Sequence, residues 1–92
     1  MVGTRFEVLL HPRAVKALQK APREVATRIR TRLHELTTHP RDAGTQLRGS
    51  PFWRTKVGQY RVIFEVDQPG QRVIVLFIGH RAKIYDEFTR LL

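Results

Sequence analysis

The chain has 92 residues, no cysteine and a formal net charge of +9, with 17 lysine and arginine residues against 8 aspartate and glutamate residues. This length predicts one small domain over residues 1–92, and 41% hydrophobic residues is too high a fraction for a disordered chain. Without cysteine there is no disulfide framework, thiol nucleophile or zinc finger, and no apolar run approaches the roughly 20 residues of a membrane span. The N-terminal segment is too short and too polar for a secretory signal, so we expect a cytoplasmic protein that does not associate with membranes.

The excess of positive charge indicates a polyanionic partner. Thirteen of the 17 cationic residues are arginine, whose planar set of donors suits phosphate. A nucleic acid, the ribosome or an acidic protein would fit this charge. The alternative is that the charge only keeps the domain in solution.

The first half of the chain predicts a strand followed by two helices. Residues 5–10 alternate in the manner of a strand, and Pro12 and Pro22 each suit the start of a helix. The segment 41–51 contains glycines and a proline and is predicted as a loop. The apolar positions at helical spacing are Ala14, Val15, Leu18 and Ala21 in the first helix, and Val25, Ala26, Ile29, Leu33 and Leu36 in the second.

The second half predicts three strands and a short terminal helix. The segments FWRTKV and YRVIFEV flank a Gly58-Gln59 turn, and DQPGQ leads into RVIVLFI, which is apolar on both faces, as is typical of a central strand. The terminal helix would turn Ile84, Phe88 and either Leu91 or Leu92 inward. We therefore predict an α+β fold, a small antiparallel sheet with an N-terminal helical hairpin packed on one face, in the order β-α-α-β-β-β plus a short C-terminal helix.

The Gly58-Gln59 turn fixes a register for the hairpin around it. A two-residue turn pairs Val57 with Tyr60 and places Lys56 opposite Arg61, a repulsion that costs from a few tenths to about 1 kcal/mol. Alternation of side chains then separates two sets of residues. One faces the helices and comprises Trp53, Thr55, Val57, Tyr60, Val62 and Phe64; the other lies on an open face and comprises Arg54, Lys56, Arg61, Ile63 and Glu65.

The cations on the second face have two interpretations: a solvated surface of a very basic protein, or a site for phosphate. The segment GHRAKIY after the central strand favours the second, since it adds His80, Arg81, Lys83 and Tyr85. Glu65 is the only carboxylate predicted on this face, so we predict neither a carboxylate metal site nor a cofactor. Arginine and lysine would stabilise charge developing on a phosphodiester, a lysine crowded by like charges gives up a proton more readily, and an aromatic ring can stack on a base.

Three segments, FEVLLHPRAVKALQKAPREVATRI, LRGSPFWRTKVGQYRVIFEVD and RVIVLFIGHRAKIY, resemble the RelE/ParE superfamily of toxins from bacterial type II toxin–antitoxin modules. The resemblance covers almost the whole chain. Its most specific part is the block L-R-G, W-R and G-x-Y-R-V-I-F, followed by I-G-H-R-x-x-I-Y. The predicted element order agrees with the fold of this superfamily.

The resemblance implies one of two activities. RelE-like members are endoribonucleases, or mRNA interferases, that inhibit translation by cutting mRNA in the ribosomal A site without metal. The 2′-hydroxyl attacks the adjacent phosphate and leaves a 2′,3′-cyclic phosphate and a 5′-hydroxyl. ParE-like members poison DNA gyrase instead and lack the basic set. The positions of the ribonuclease motif correspond here to Arg54, Lys56, Arg61, Arg81 and Tyr85, which favours the RelE-like branch.

The resemblance also assigns a role to each position. Lys56 would assist deprotonation of the 2′-hydroxyl, because Arg54 stands where the best-known pattern has lysine and an arginine stays protonated. Arg54 and Arg61 would bind the scissile phosphate, Arg81 would neutralise the leaving 5′-oxygen, and Tyr85 would stack on or orient the base. Further candidates are Arg48 and Lys83 as RNA contacts and, in second rank, His80 as an acid–base group, although packing or capping is the more common use of such a histidine.

A toxin of this class needs a cognate antitoxin, and the resemblance implies one that covers the basic face or displaces the terminal helix. Promoter DNA would be contacted only through the antitoxin. The charge of +9 suits an acidic antitoxin segment. Two alternatives stay open at this stage: a ParE-like gyrase poison, and an inactive regulatory module that keeps the fold. The arginine-rich face of the second helix is either a contact for ribosomal RNA or a solvated surface.

Overall fold

The structure of the protein, a computed structural model, describes residues 5–90. Its elements are β1 (Glu7–Leu10), α1 (Pro12–Lys20), α2 (Arg23–Glu35), β2 (Thr45–Gln46), β3 (Phe52–Val57), β4 (Tyr60–Asp67), β5 (Arg72–His80) and α3 (Ile84–Arg90). The predicted inward positions Leu91 and Leu92 lie outside the described residues. Within residues 5–90 no helix has the length and apolarity needed to cross a bilayer.

The five strands form one sheet in the order β1-β5-β4-β3-β2. The α+β class and the order of helices and long strands are as predicted, but the sheet is mixed because β1 runs parallel to β5. A short hairpin connection makes two strands antiparallel, but two helices follow β1 and allow either direction. The local sequence therefore did not determine how β1 runs relative to its neighbour in the sheet. The two-residue strand β2, which pairs with β3, lies in the segment predicted as loop and is too short to show alternation.

Prolines and local caps define the two N-terminal helices. Pro12 occupies the first turn of α1, where the missing N–H costs nothing, and the His11 ring accepts a hydrogen bond from the Arg13 amide at 3.1 Å. Ala14 is fully buried, as predicted, whereas Val15 is 38% exposed and its prediction as a core residue was wrong. On this short helix Ala17 packs against the core in its place.

The main core lies between this helical hairpin and one face of the sheet. The α2 stripe predicted from sequence is buried there, with Ile29 fully enclosed and Leu33 beside it. The sheet contributes the set of hairpin residues assigned to the helical face, including Val57, Val62 and Phe64, together with Val73, Val75 and Ile78 of β5. The alternation of the hairpin was therefore predicted correctly, and it determines which side chains remain for the opposite face.

The prediction that the opposite face is open was wrong, because α3 packs on part of this face. Ile63 is fully buried in a second cluster with Phe77, Ile84 and Phe88. The ring of Phe88 stands edge-on to those of Phe77 and Phe52, with centroids 5.5 and 5.2 Å apart. Strands β4 and β5 carry apolar side chains such as Ile63 and Phe77 on this face as well, and α3 shields them from water. The sheet is therefore enclosed between two helical layers.

Candidate active site

The β3–β4 hairpin has the predicted register. Val57 pairs with Tyr60 across the turn, and Lys56 lies opposite Arg61. Gly58 has a φ of +59°, while Gln59 has no positive φ, which is the pattern of a type II′ turn with glycine in first position. The turn therefore fixes the two cations side by side on the face that α3 partly covers.

Arg61 is held by the backbone of this turn. Its Nη1 donates to the carbonyl oxygens of Gly58 and Tyr60, both at 2.9 Å. These bonds hold the guanidinium at the tip of the hairpin and offset part of its repulsion from Lys56. The Lys56 side chain is exposed, and within residues 5–90 no hydrogen bond or ion pair engages its ammonium group.

Arg54 and Tyr85 meet across the boundary between β3 and α3. Nη1 of Arg54 donates to the phenolic oxygen of Tyr85 at 3.0 Å, and both side chains are half-buried. The Tyr85 ring also packs against the second cluster, so α3 holds it in place. Because the phenolic oxygen accepts from Arg54, its own hydrogen remains available for donation to a ligand.

The end of β5 lies beside the hairpin turn. The Arg81 amide donates to the carbonyl oxygen of Gln59 at 2.8 Å, which places Arg81 next to the turn with an exposed side chain. Nδ1 of His80 accepts from the Ala82 amide at 3.1 Å, and its ring stands edge-on to Tyr60 at 5.7 Å. His80 therefore caps the turn that follows β5. Lys83 lies in the same turn, exposed.

Arg48 lies at the end of β3 that is farther from the hairpin turn. It lies in the loop between β2 and β3, next to the Phe52 end of β3. Lys56 is four residues along that strand, a distance of about 13 Å at the usual rise. The structure thus brings together Arg54, Lys56, Arg61, Arg81 and Tyr85, with Lys83 and His80 at the margin and Arg48 beyond the other end of β3.

The cluster is strongly positive because little acid opposes it. The ion pairs found within residues 5–90 join Arg32 to Glu35 and Arg72 to Asp67, and neither involves a candidate site residue. In the same part of the chain no three histidine, aspartate or glutamate side chains come together in a way that could hold a metal ion. The uncompensated charges can attract and hold an anion such as a phosphodiester.

Two residues that support this site were missed in the sequence. Arg32 reaches from α2 to donate to the hydroxyl of buried Thr55 and, at 3.0 Å, to the carbonyl oxygen of Lys56. The signal was available, because a threonine at a core-facing position needs a partner. Gly79 is the second: it lies opposite Arg61, and a Cβ there would stand 3.4 Å from that of Ile84, so the glycine lets α3 pack closely.

Comparison with known proteins places this geometry in a family. Residues 8–85 match the family model of the ParE toxin of the type II toxin–antitoxin system parDE. No curated protein sequence matches the chain.

Solved structures of RelE proteins share the fold. The isolated RelE toxin of Escherichia coli is 28% identical over 95% of this chain and 99% of its own, with a TM-score of 0.74. The RelE–RelB complex of Pyrococcus horikoshii contains a chain that is 26% identical, with coverages of 86% and 98% and a TM-score of 0.75. A chain of the RelBE2 complex of Mycobacterium tuberculosis is 22% identical, with coverages of 84% and 99% and a TM-score of 0.77. The chain therefore belongs to the ParE toxin family, within the RelE/ParE superfamily of type II toxin–antitoxin toxins.

Proposed function

We propose that this toxin is a ribosome-dependent mRNA endonuclease that cuts in the A site without a metal ion and so inhibits translation. The observation that carries the proposal is the convergence of two pairs on one face. Lys56 lies opposite Arg61, and Arg54 is hydrogen-bonded to Tyr85 at 3.0 Å. Arg81 completes the set, beside the same turn. Cations placed around one phosphate, with a phenol among them, suit transfer of a phosphoryl group.

In the proposed reaction the 2′-oxygen of the substrate attacks the adjacent phosphorus. The bond from phosphorus to the 5′-oxygen breaks, which leaves a 2′,3′-cyclic phosphate and a 5′-hydroxyl. Lys56 assists removal of the 2′-hydroxyl proton, either as its acceptor or through its charge. Arg54 and Arg61 stabilise the extra negative charge on the non-bridging oxygens, and Arg81 neutralises the departing 5′-oxygen.

The 5′-oxygen must also gain a proton before it leaves as a hydroxyl. Arginine is a poor source, because its guanidinium stays protonated in proteins. The phenol of Tyr85 accepts from Arg54 and retains a hydrogen to donate, so it can supply this proton directly or through a water. Tyr85 also offers a ring face for a base of the mRNA. The bond to Arg54 supports both roles by fixing the orientation of the phenol.

A gyrase-directed toxin is the second candidate. It is favoured by one observation, the match of residues 8–85 to the ParE family model. It gives no account of the grouping of Lys56 and Arg81 with the Arg54–Tyr85 pair, since ParE-like toxins lack the ribonuclease's basic set. A regulatory module without activity would likewise leave this grouping without a use.

A cognate antitoxin is the partner that we propose alongside ribosome and mRNA. Several of the similar solved structures are toxin–antitoxin complexes, including that of RelE with RelB from Pyrococcus horikoshii. An acidic antitoxin segment would complement the net charge of +9 and cover the cationic face, and its own DNA-binding part would contact the promoter.

The test is to add the pure protein to translating ribosomes with a defined mRNA and to map the 5′ ends. We expect cuts within the A-site codon, reduced about 100-fold or more in Lys56→Ala and Arg81→Ala. Lys16→Ala and Arg90→Ala remove exposed cations elsewhere and serve as matched controls that keep cutting. If no cuts appear and gyrase–DNA cleavage complexes are trapped instead, the endonuclease proposal is rejected and the gyrase poison is favoured. Neither activity, with antitoxin binding intact, would leave the regulatory module.

A further inference from the structure

A second group of cations lies on the other side of the hairpin turn, in a groove between α2 and β3. The groove has a volume of about 260 Å³ and is lined by residues of α2 and of the hairpin: Thr27, Arg28, Thr31, Arg32 and Glu35, and Lys56, Val57 and Gly58. These side chains lie outside the second cluster around Phe88, and Lys56 is shared with the candidate active site. We refer to this set of residues as the α2 groove.

The α2 groove exists because β2 is short. It pairs only with Trp53 and Arg54 of β3, so among residues 5–90 no strand lies beside this edge of β3 beyond Arg54. Arg32 occupies that edge instead, with bonds to Thr55 and to the carbonyl oxygen of Lys56. The guanidinium is therefore held in position before any ligand arrives, which lowers the entropic cost of binding.

Arg28, like Lys56, is a groove cation without an acidic partner within residues 5–90. Its guanidinium lies against the turn, such that a Cβ on Gly58 would stand 3.1 Å from Nη1. Among the described residues that line the groove, the one carboxylate is that of Glu35, which pairs with Arg32 at 3.4 Å. The net charge of the groove is accordingly positive.

The positive charge of the groove selects an anionic ligand. Guanidinium groups bind phosphate through paired hydrogen bonds. Lys56 lines both the groove and the candidate active site, which makes the two surfaces continuous. A strand with regularly spaced phosphates can occupy both.

We propose that the α2 groove binds backbone phosphates of the RNA strand next to the phosphate that is cut. The inference rests on the proposed function, because it extends the RNA site of that function around the edge of β3. An acidic protein segment is the competing occupant by charge alone. Continuity with Lys56 favours RNA, since it gives one strand a path from the groove to the reacting phosphate.

The test measures binding of the full-length protein to a labelled single-stranded RNA dodecamer with 2′-O-methyl riboses, which cannot be cleaved. Anisotropy is recorded over a series of salt concentrations. We expect Arg28→Gln to make the log–log salt slope shallower by about 0.7 and to weaken binding about fourfold at physiological salt, the effect of one phosphate contact on a single strand. The matched control is Arg30→Gln, which removes an exposed charge from the same helix outside the groove and should keep the wild-type slope.

Three results would overturn the inference: an unchanged slope in Arg28→Gln, an equal loss in Arg30→Gln, or loss of polyglutamate binding in Arg28→Gln with RNA binding intact. The third would assign the groove to an acidic protein. Cleavage by ribosomes with the same proteins separates this inference from the proposed function. If the wild-type protein cuts no mRNA, the proposed function fails, and the salt slope still shows whether the α2 groove binds RNA. If cleavage is normal and Arg28→Gln leaves the salt slope unchanged, only the role of the α2 groove is rejected.

Discussion

The anchoring of α3 by Phe88 can be tested by the substitution Phe88→Ala. Phe88 is 7% exposed, and its ring makes edge-on contacts with Phe52 and Phe77 at 5.2 and 5.5 Å. Truncation of a buried phenylalanine costs about 3–5 kcal/mol. Within that range, each aromatic pair accounts for about 0.5–1.5 kcal/mol.

This cost exceeds what α3 can withstand while remaining docked. The helix has seven residues, well below the roughly 12–15 that an isolated helix needs in water, so packing alone keeps it formed. Ile84 and Phe88 are its buried side chains within the described part of the chain. We expect Phe88→Ala to release α3 from the sheet and to separate Tyr85 from Arg54.

Amide hydrogen exchange measures this release directly. A loss of about 3 kcal/mol corresponds to roughly 100-fold less protection in α3, with protection kept in β3 and β4, since local opening leaves the main core intact. Glu87→Ala, at an exposed position of the same helix, is the control and should leave protection unchanged. The reasoning is refuted if α3 in Phe88→Ala stays as protected as in the wild type, or if the sheet loses its protection together with the helix.

Two further predictions concern stability. Thr55→Val removes the acceptor of Arg32 and should lower the free energy of unfolding by about 1–2 kcal/mol in urea, while the same change at exposed Thr31 should have little effect; equal stability of both variants would argue against the bond. A hydrogen bond from the Gly70 amide and, as the next largest cause, one from Arg72 hold the pKa of Asp67 below its usual value. This carboxylate therefore stabilises the fold near pH 7 and loses that contribution as the pH falls below about 4. The urea midpoint of Asp67→Asn should thus lie below that of the wild type at pH 7 and approach it at pH 3; a constant difference would contradict this assignment.

The hairpin register and the division of its two faces followed from sequence because both are local. A glycine in the first position of a two-residue turn fixes the pairing of the adjacent residues, and the alternation of strands fixes every side chain after it. The opposition of Lys56 and Arg61 was thus determined before any tertiary contact was known. The burial of Ile29 and Leu33 on α2 followed in the same way from helical periodicity.

The remainder depended on contacts between residues that are distant along the chain. The sequence predicted α3 as a helix but not the face of the sheet on which it packs. Its contact with Ile63 places it over part of the cationic face and brings Tyr85 to Arg54. The parallel direction of β1 and the bond from Arg32 to Thr55 likewise join segments separated by many residues. Periodicity records which face of an element is apolar, but it holds no record of which distant element covers that face. The amino-acid sequence therefore determined the charges of this site and their order along the hairpin, and the tertiary structure decided which partners hold them and which of them stay exposed.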